Sequence, residues 1–256
     1  MATRAVACRA SFFLVQPVGA GGAKGCCPQF TTPELGVIVR SIRRTTTALA
    51  IAVVALASGG LAAPSASAST HHQTLGTRSL ATVLAQDGSS FDHNWHDFDI
   101  VDAAVTAVLK AKPSSPVSVL ADGTVPLTAF LPTDRAFRVL VKDLTGHWYR
   151  TEKQVFDSVA SLGIDTVEAV LLYHVVPGAT ITSRQALRSD GAVLQTALKD
   201  GTITVDVQCR RFKIVSLIDA DRNDANPFLV RSKLDINKGN RQIAHGISLV
   251  LRPADL

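Results

Sequence analysis

The densest run of metal-capable side chains is Asp92-His93-Asn94-Trp95-His96-Asp97, with Asp99 just beyond it. His93 and His96 could both ligate a metal, with Asp97 or Asp99 nearby. This spacing fixes no third ligand, and the same residues suit a polar lead-in to a helix. A second candidate is Asp219-Ala-Asp-Arg-Asn-Asp-Ala-Asn-Pro227. Asp219, Asp221 and Asn223 match positions 1, 3 and 5 of a calcium loop, but Asp224 stands where glycine is required and Val230 where the bidentate glutamate belongs. A solvated, Asx-rich turn accounts for the same residues. His174 and His245 lie on apolar faces, the first by helical spacing with Val167, Val170 and Leu171, the second by alternation with Ile243, Ile247, Leu249 and Leu251. A buried imidazole must satisfy its ring N–H, so both read as hydrogen-bonded core histidines that fix one element against another. There is no G-x-S-x-G elbow and no H-E-x-x-H pair. Gly19-Ala-Gly-Gly-Ala-Lys-Gly25 lacks the spacing of a phosphate loop. The carboxylates are too scattered to nominate a dyad, so the expectation is a non-catalytic protein without a cofactor or a metal.

The elements that position these residues are legible from periodicity. Leu127-Thr-Ala-Phe-Leu-Pro132 reads as the end of a buried strand, which Pro132 closes for lack of an N–H. Thr133 then stands as an N-cap whose hydroxyl takes a free N–H of the first turn. Asp134 adds negative charge where the helix dipole favours it. Phe137, Leu140, Val141 and Leu144 form one apolar stripe, and Pro132 with Phe137 has the spacing of a hydrophobic staple.

Upstream, residues 69–96 form a polar arm, loose or with a short helix around Leu80–Leu84, in which Trp95 serves as a docking anchor. Asp99 is placed to cap a helix reaching Ala111. Val117–Leu120 and Thr124–Leu131 flank Asp122-Gly123 as a hairpin. His147-Trp148-Tyr149 is a loop of exposed aromatic potential, suited to a contact site or to covering the core. Thr151 and Gln154 make a capping box, with Gly163 as the C′ residue of that helix. Asp165 and Glu168 open the next helix, Pro177-Gly178 turns the chain, and Ser183 caps a short helix. The last third is β-rich, with a hairpin at Asp200-Gly201. Cys209 shares a strand face with Ile203, Val205 and Val207, which suits a buried small hydrophobe, with a reactive thiol beside Arg210 as the alternative. Arg210-Arg211-Lys213 suits a solvated strand edge. Hairpins with interspersed helices and no βαβ rhythm mean an α+β fold. No internal repeat is visible.

Three stretches together carry a family resemblance. Thr128-Ala-Phe-Leu-Pro-Thr-Asp-Arg-Ala-Phe137, Leu171-Leu-Tyr-His-Val-Val-Pro-Gly178 and Ile243-Ala-His-Gly-Ile-Ser-Leu-Val-Leu-Arg-Pro253 resemble, in order, the first, second and closing signatures of the fasciclin domain family. The resemblance covers roughly residues 79–256. It implies a fasciclin-like β-sheet wedge with helices packed on it, a single domain over 97–256, and an adhesion role. In animal members the Tyr-His region is linked to integrin contact, which makes Tyr173 and His174 candidate partner contacts. Two positions depart from the family pattern: Gly246 replaces the usual apolar residue and Ser248 the usual Asp. The resemblance also implies that Phe137, Leu171 and Ile247 share one packed interior, in which Thr133, Asp134, Phe137 and His245 are structural.

Charge and cysteine usage separate a leader from the rest. Residues 1–68 hold 6 Lys+Arg and 1 Asp+Glu, whereas residues 69–256 hold 20 of each. The basic excess therefore belongs to the leader, and the remainder has no global field to hold nucleic acid. Arg40, Arg43 and Arg44 precede the apolar run Ala48–Ala57, and Ala66-Ser67-Ala68 fits a signal-peptidase site. This predicts a signal peptide over about 37–68, by Sec or Tat export, and a secreted protein with no stable membrane anchor. Residues 1–36 do not open like a signal peptide, which points to a translation start at Val37 or Val39. Cys8, Cys26 and Cys27 precede residue 68, so Cys209 stands outside any disulfide framework of the mature part. The functional expectation is an extracellular module that binds a cell-surface or matrix protein or glycan through Trp148 and Tyr149 in Gly146–Arg150, through Asp219, Asp221 and Asn223 in Asp219–Pro227, or through Tyr173 and His174. The alternative is a secreted metal-dependent hydrolase or calcium-binding protein using His93, His96 or the Asp219 loop.

Overall fold

Leu127–Pro132 forms strand β1, buried along its whole length, in a computed structural model that describes residues 74–86, 88 and 91–254. The leader, its cysteines and its cleavage site lie outside the described residues. β1 pairs antiparallel with β2 (Val175–Pro177) and parallel with β6 (Gln242–Ile247). The three signature stretches are thus hydrogen-bonded neighbours in one sheet, with Phe130 opposite His245. A second sheet, antiparallel throughout, runs β3 (Val193–Gln195), β4 (Thr202–Cys209), β5 (Ile214–Ile218). Two stitches join the sheets: the Ala197 N–H donates to the Val175 carbonyl at 2.7 Å, and Phe228 and Leu229 bridge Ser216 of β5 to Ile247 of β6.

Strand alternation turns the first sheet into a partition between two cores. Leu127, Ala129, Leu131, Val175 and Ala244 face the helices, whereas Phe130, Val176 and Ile247 face the second sheet. The helical layer contains α2 (Asp99–Ala111), α3 (Asp134–Thr145), α4 (Glu152–Ala160) and α5 (Ile164–Tyr173). Phe137 and Leu171 belong to this layer and Ile247 to the other. The interior is therefore double, and the expectation of one shared core is corrected. A fully buried sheet must offer an apolar side chain to each face. Ile203, Val205, Val207 and Cys209 form the buried face of β4, as their alternation predicts.

Several local readings change. Residues 116–121 form a 3₁₀ helix, not a strand. Pro116 presets its first φ, and the Ser115 hydroxyl accepts the Val117 N–H at 3.2 Å. Gly123 turns no hairpin; its backbone lies so close to Thr77 that a Cβ there would sit 1.8 Å from the Thr77 carbonyl oxygen. Short helix α6 (Ser183–Ala186) is capped by Thr182 in a box with Gln185, which places Ser183 inside the helix. Gly163, at φ 90°, opens α5 instead of closing α4. The Thr151–Gln154 capping box is present as predicted.

Of the two forms expected for the arm, the helix is present: α1 (Leu80–Leu84), capped by Ser79. It is docked. Leu80 is fully buried in the helical core. Gln242, equally buried, accepts the Leu80 N–H at 2.7 Å and donates to the carbonyls of Val119 and Asp122 at 2.7 and 2.8 Å. One amide thus ties the arm, the 3₁₀ helix and the last strand together.

Candidate functional site

His174 caps the end of α5 and is 4% exposed. Its Nδ1–H donates to the Val170 carbonyl at 2.7 Å, and its Nε2 accepts the Leu251 N–H at 3.0 Å. Burial drives its pKa down to about 4. His245 is 1% exposed. Its Nδ1 accepts the Asp235 N–H at 3.2 Å and its Nε2–H donates to the Ile181 carbonyl at 2.8 Å. Burial lowers its pKa too, against the pull of the Ile181 carbonyl and Asp235. Each imidazole is neutral, with both nitrogens engaged by backbone. Tyr173 is also buried; its hydroxyl donates to the Thr202 carbonyl at 2.7 Å and accepts the Ala220 N–H at 3.0 Å. Tyr173 and His174 therefore present no side-chain surface, and their reading as direct partner contacts is corrected to an architectural one.

The Asp219 loop is organised by a residue that local spacing does not suggest. The Arg252 guanidinium pairs with Asp143 at 3.1 Å, with Asp221 at 3.7 Å and with Asp224. The Arg252 N–H donates to the Asp219 carboxylate at 2.9 Å. Asp221 also accepts the Asn223 N–H in an Asx turn. The carboxylates of Asp221 and Asp224 already face a cation, so the calcium-loop reading of Asp219, Asp221 and Asn223 gives way to an Arg-centred turn. Ser248, at the family's Asp position, holds the same region by accepting the Phe228 N–H at 2.9 Å. Gly246 leaves no space for the family's apolar side chain: a Cβ there would lie 2.6 Å from Lys233 Cβ and 3.3 Å from Phe98.

The aromatic loop does reach the surface. Gly146, at φ 71°, ends α3 in the left-handed conformation, and Arg138 on α3 donates from Nε to the Tyr149 carbonyl at 2.7 Å. The same guanidinium lies 4.3 Å from the ring centroid of Trp95 and 5.4 Å from that of Trp148. Tyr149 packs edge-on against His147 at 4.8 Å and covers the helical core, as does Trp95. Trp148 stays 51% exposed. The outcome is a Trp95–Arg138–Trp148 layer with one open indole. Arg138 was missed in the sequence because it sits on the polar side of the α3 stripe, with nothing local to link it to either tryptophan.

A cluster of acids lies at the starts of α2, α3 and α4. Asp134 is fully buried and its carboxylate accepts the Asp99 and Ile100 N–H groups at 3.2 and 3.0 Å. It thus caps α2, whose own N-cap, Phe98, makes no side-chain bond. Asp99 is the first residue of α2 and not its cap, and the Thr133 hydroxyl makes no capping bond to α3. Glu152 is fully buried and accepts the His93 N–H at 3.0 Å. Carboxylate oxygens of Asp97, Asp134 and Glu152 lie within 4.8 Å of one another, and Asp92, Asp97 and Asp99 form a second such triad. Burial, then the hydrogen-bonded Asp97 carboxyl, pushes the Asp134 pKa up to about 9. Burial likewise raises that of Glu152. His93 and His96, the ligands of the alternative metal reading, are exposed and belong to neither triad. In the sequence Glu152 stands only between the capping partners Thr151 and Gln154, and an acid in a first helical turn is too common to signal more.

The Fasciclin domain model matches residues 101–253. No curated protein matches the chain. Among solved structures, the chain is similar to a FAS1 domain pair from the insect cell adhesion molecule Fasciclin I, at 16% identity and a TM-score of 0.43, over 61% of this chain and 48% of that one. The chain spans about half the length of that structure.

Proposed function

The chain belongs to the fasciclin family, and from that premise we propose that it is a secreted adhesion or extracellular interaction module that binds a cell-surface or matrix protein or glycan and performs no chemistry of its own. Among the described residues no helix is long and apolar enough to cross a membrane. The observation that carries the binding reading is the half-exposed Trp148, braced through Arg138 against Trp95. Tryptophan and arginine are enriched among the residues that carry interface energy, and an indole offers a large amphipathic area at low entropic cost. An indole face with its edge open also suits stacking on a sugar ring. The loop is held at both ends, by Gly146 at the α3 terminus and by the Thr151 cap, so little ordering accompanies contact.

The test is adhesion of beads coated with the protein to intact cells. Trp148→Ala and Arg138→Ala are expected to leave the circular dichroism spectrum intact and to weaken attachment about thirtyfold, a hot-spot effect of roughly 2 kcal/mol. Periodate or protease treatment of the cells separates a glycan partner from a protein one. Undiminished attachment of both variants would sink the proposed surface.

A further inference from the structure

We propose that Asp97, Asp134 and Glu152, with Asp92 at the mouth, form a binding site for one hard divalent cation, calcium foremost. Three helices begin at this point: Asp99, Asp134 and Glu152 are the first residues of α2, α3 and α4. Each helix start contributes roughly half a positive charge, so the three carboxylates, once ionised, are under-compensated by more than one charge. Among the described residues no lysine or arginine pairs with Asp97, Asp134 or Glu152. Arg135, next to Asp134 in sequence, is exposed, and Arg138, one turn along α3, is committed to the two indoles.

The cluster also holds oxygens that nothing in the fold satisfies. Asp97 Oδ1 and Glu152 Oε1 are buried without a hydrogen-bond partner, on side chains 4% and 0% exposed. Such orphans are costly in a native interior and mark the place of a missing partner. Both belong to residues whose oxygens converge within 4.8 Å. That span matches calcium, whose oxygen ligands stand at about 2.3–2.6 Å on opposite sides of the ion. An all-oxygen, all-carboxylate donor set selects a hard cation over zinc or copper. Magnesium needs shorter bonds and retains waters, for which a site closed by three helix starts has less room. The Asp134 carboxylate accepts one N–H per oxygen, which leaves it capacity for a further partner, the Asp97 carboxyl proton or a cation in its place. Asp92 is exposed and extends the path to solvent through the second triad. The competing occupant is a proton shared by Asp97 and Asp134.

Calcium titration of the metal-stripped full chain by calorimetry at neutral pH tests this directly. One ion per chain is expected, with an affinity at or tighter than the roughly 0.1–1 mM of extracellular calcium modules, and a saturable rise in melting temperature. Glu152→Gln should weaken binding at least about tenfold. If that variant does not fold, the exposed Asp92→Asn substitution should weaken binding several-fold with the fold intact. Terbium in place of calcium should show luminescence sensitised by Trp95. A folded wild-type chain that takes up neither calcium nor terbium overturns the proposal in favour of the shared proton. Binding that survives Glu152→Gln and Asp92→Asn in folded proteins places the ion elsewhere and overturns it equally.

Discussion

His174 illustrates what a single buried side chain does here. Its Nε2 accepts the Leu251 N–H, so protonation there removes a hydrogen bond and leaves a charge without water. The folded pKa, about 4, lies below the unfolded value near 6.5. The folded state therefore binds fewer protons between these two values. The stability contributed is full above pH 6.5 and is lost as pH falls towards 4, on the order of 3 kcal/mol in all. Because the acidic cluster titrates in the opposite sense, the measurement is a difference. The pH dependence of urea unfolding in wild type minus that in His174→Gln should isolate this slope, and the His174 ring resonances should remain those of a neutral imidazole at pH 5. A ring that titrates near 6.5 would contradict the backbone-locked arrangement.

At the scale of the element, helix starts depend on distant partners more than on their own caps. Thr133 has the extended backbone of an N-cap, and its carbonyl accepts the Ala136 and Phe137 N–H groups, yet its hydroxyl makes no capping bond. Asp134, expected to serve α3, instead takes two N–H groups of α2. Thr133→Ala should therefore cost less than about 0.5 kcal/mol, the low end for removal of a cap. Asp134→Ala should cost about 1–3 kcal/mol, because it strands two buried donors. Equilibrium denaturation of the two variants ranks them. Equal losses would restore Thr133 as the cap. Thr151 shows the local rule obeyed, since its box partner Gln154 lies within the same turn.

At the scale of the molecule, the described residues from Gly76 onward belong to the folded unit. Gly76 donates to the Gly239 carbonyl and accepts the Arg241 N–H, Arg78 is held by Asn237, and Leu80 sits in the core. Leu80→Ala should lower global stability by about 2–5 kcal/mol, the range for a fully buried leucine. Urea denaturation checks this, and a loss below about 1 kcal/mol would make residues 74–84 an accessory arm. The pairing of β1 with β6 spans most of the unit and closes late in sequence, which makes the first sheet a non-local structure whose contacts are all formed at an entropic cost.

What the amino-acid order determined alone was whatever repeats or caps within a turn or two. The α3 stripe, the Thr151 box, the buried face of β4 and the apolar settings of His174 and His245 all follow from periods of 3.6 and 2 and from neighbours at i+3. The three signatures added the family, because motif residues keep their order whatever their partners. Tertiary structure alone decided which side of β1 meets which core, why Gly123 and Gly246 must lack a side chain, and that Arg252 and Arg138 organise loops far from them in sequence. It alone brought the carboxylates from positions 97, 134 and 152 to one point. A charge carries no periodicity and its partner can come from anywhere in the chain, so where acids converge is settled only when the helices that carry them pack.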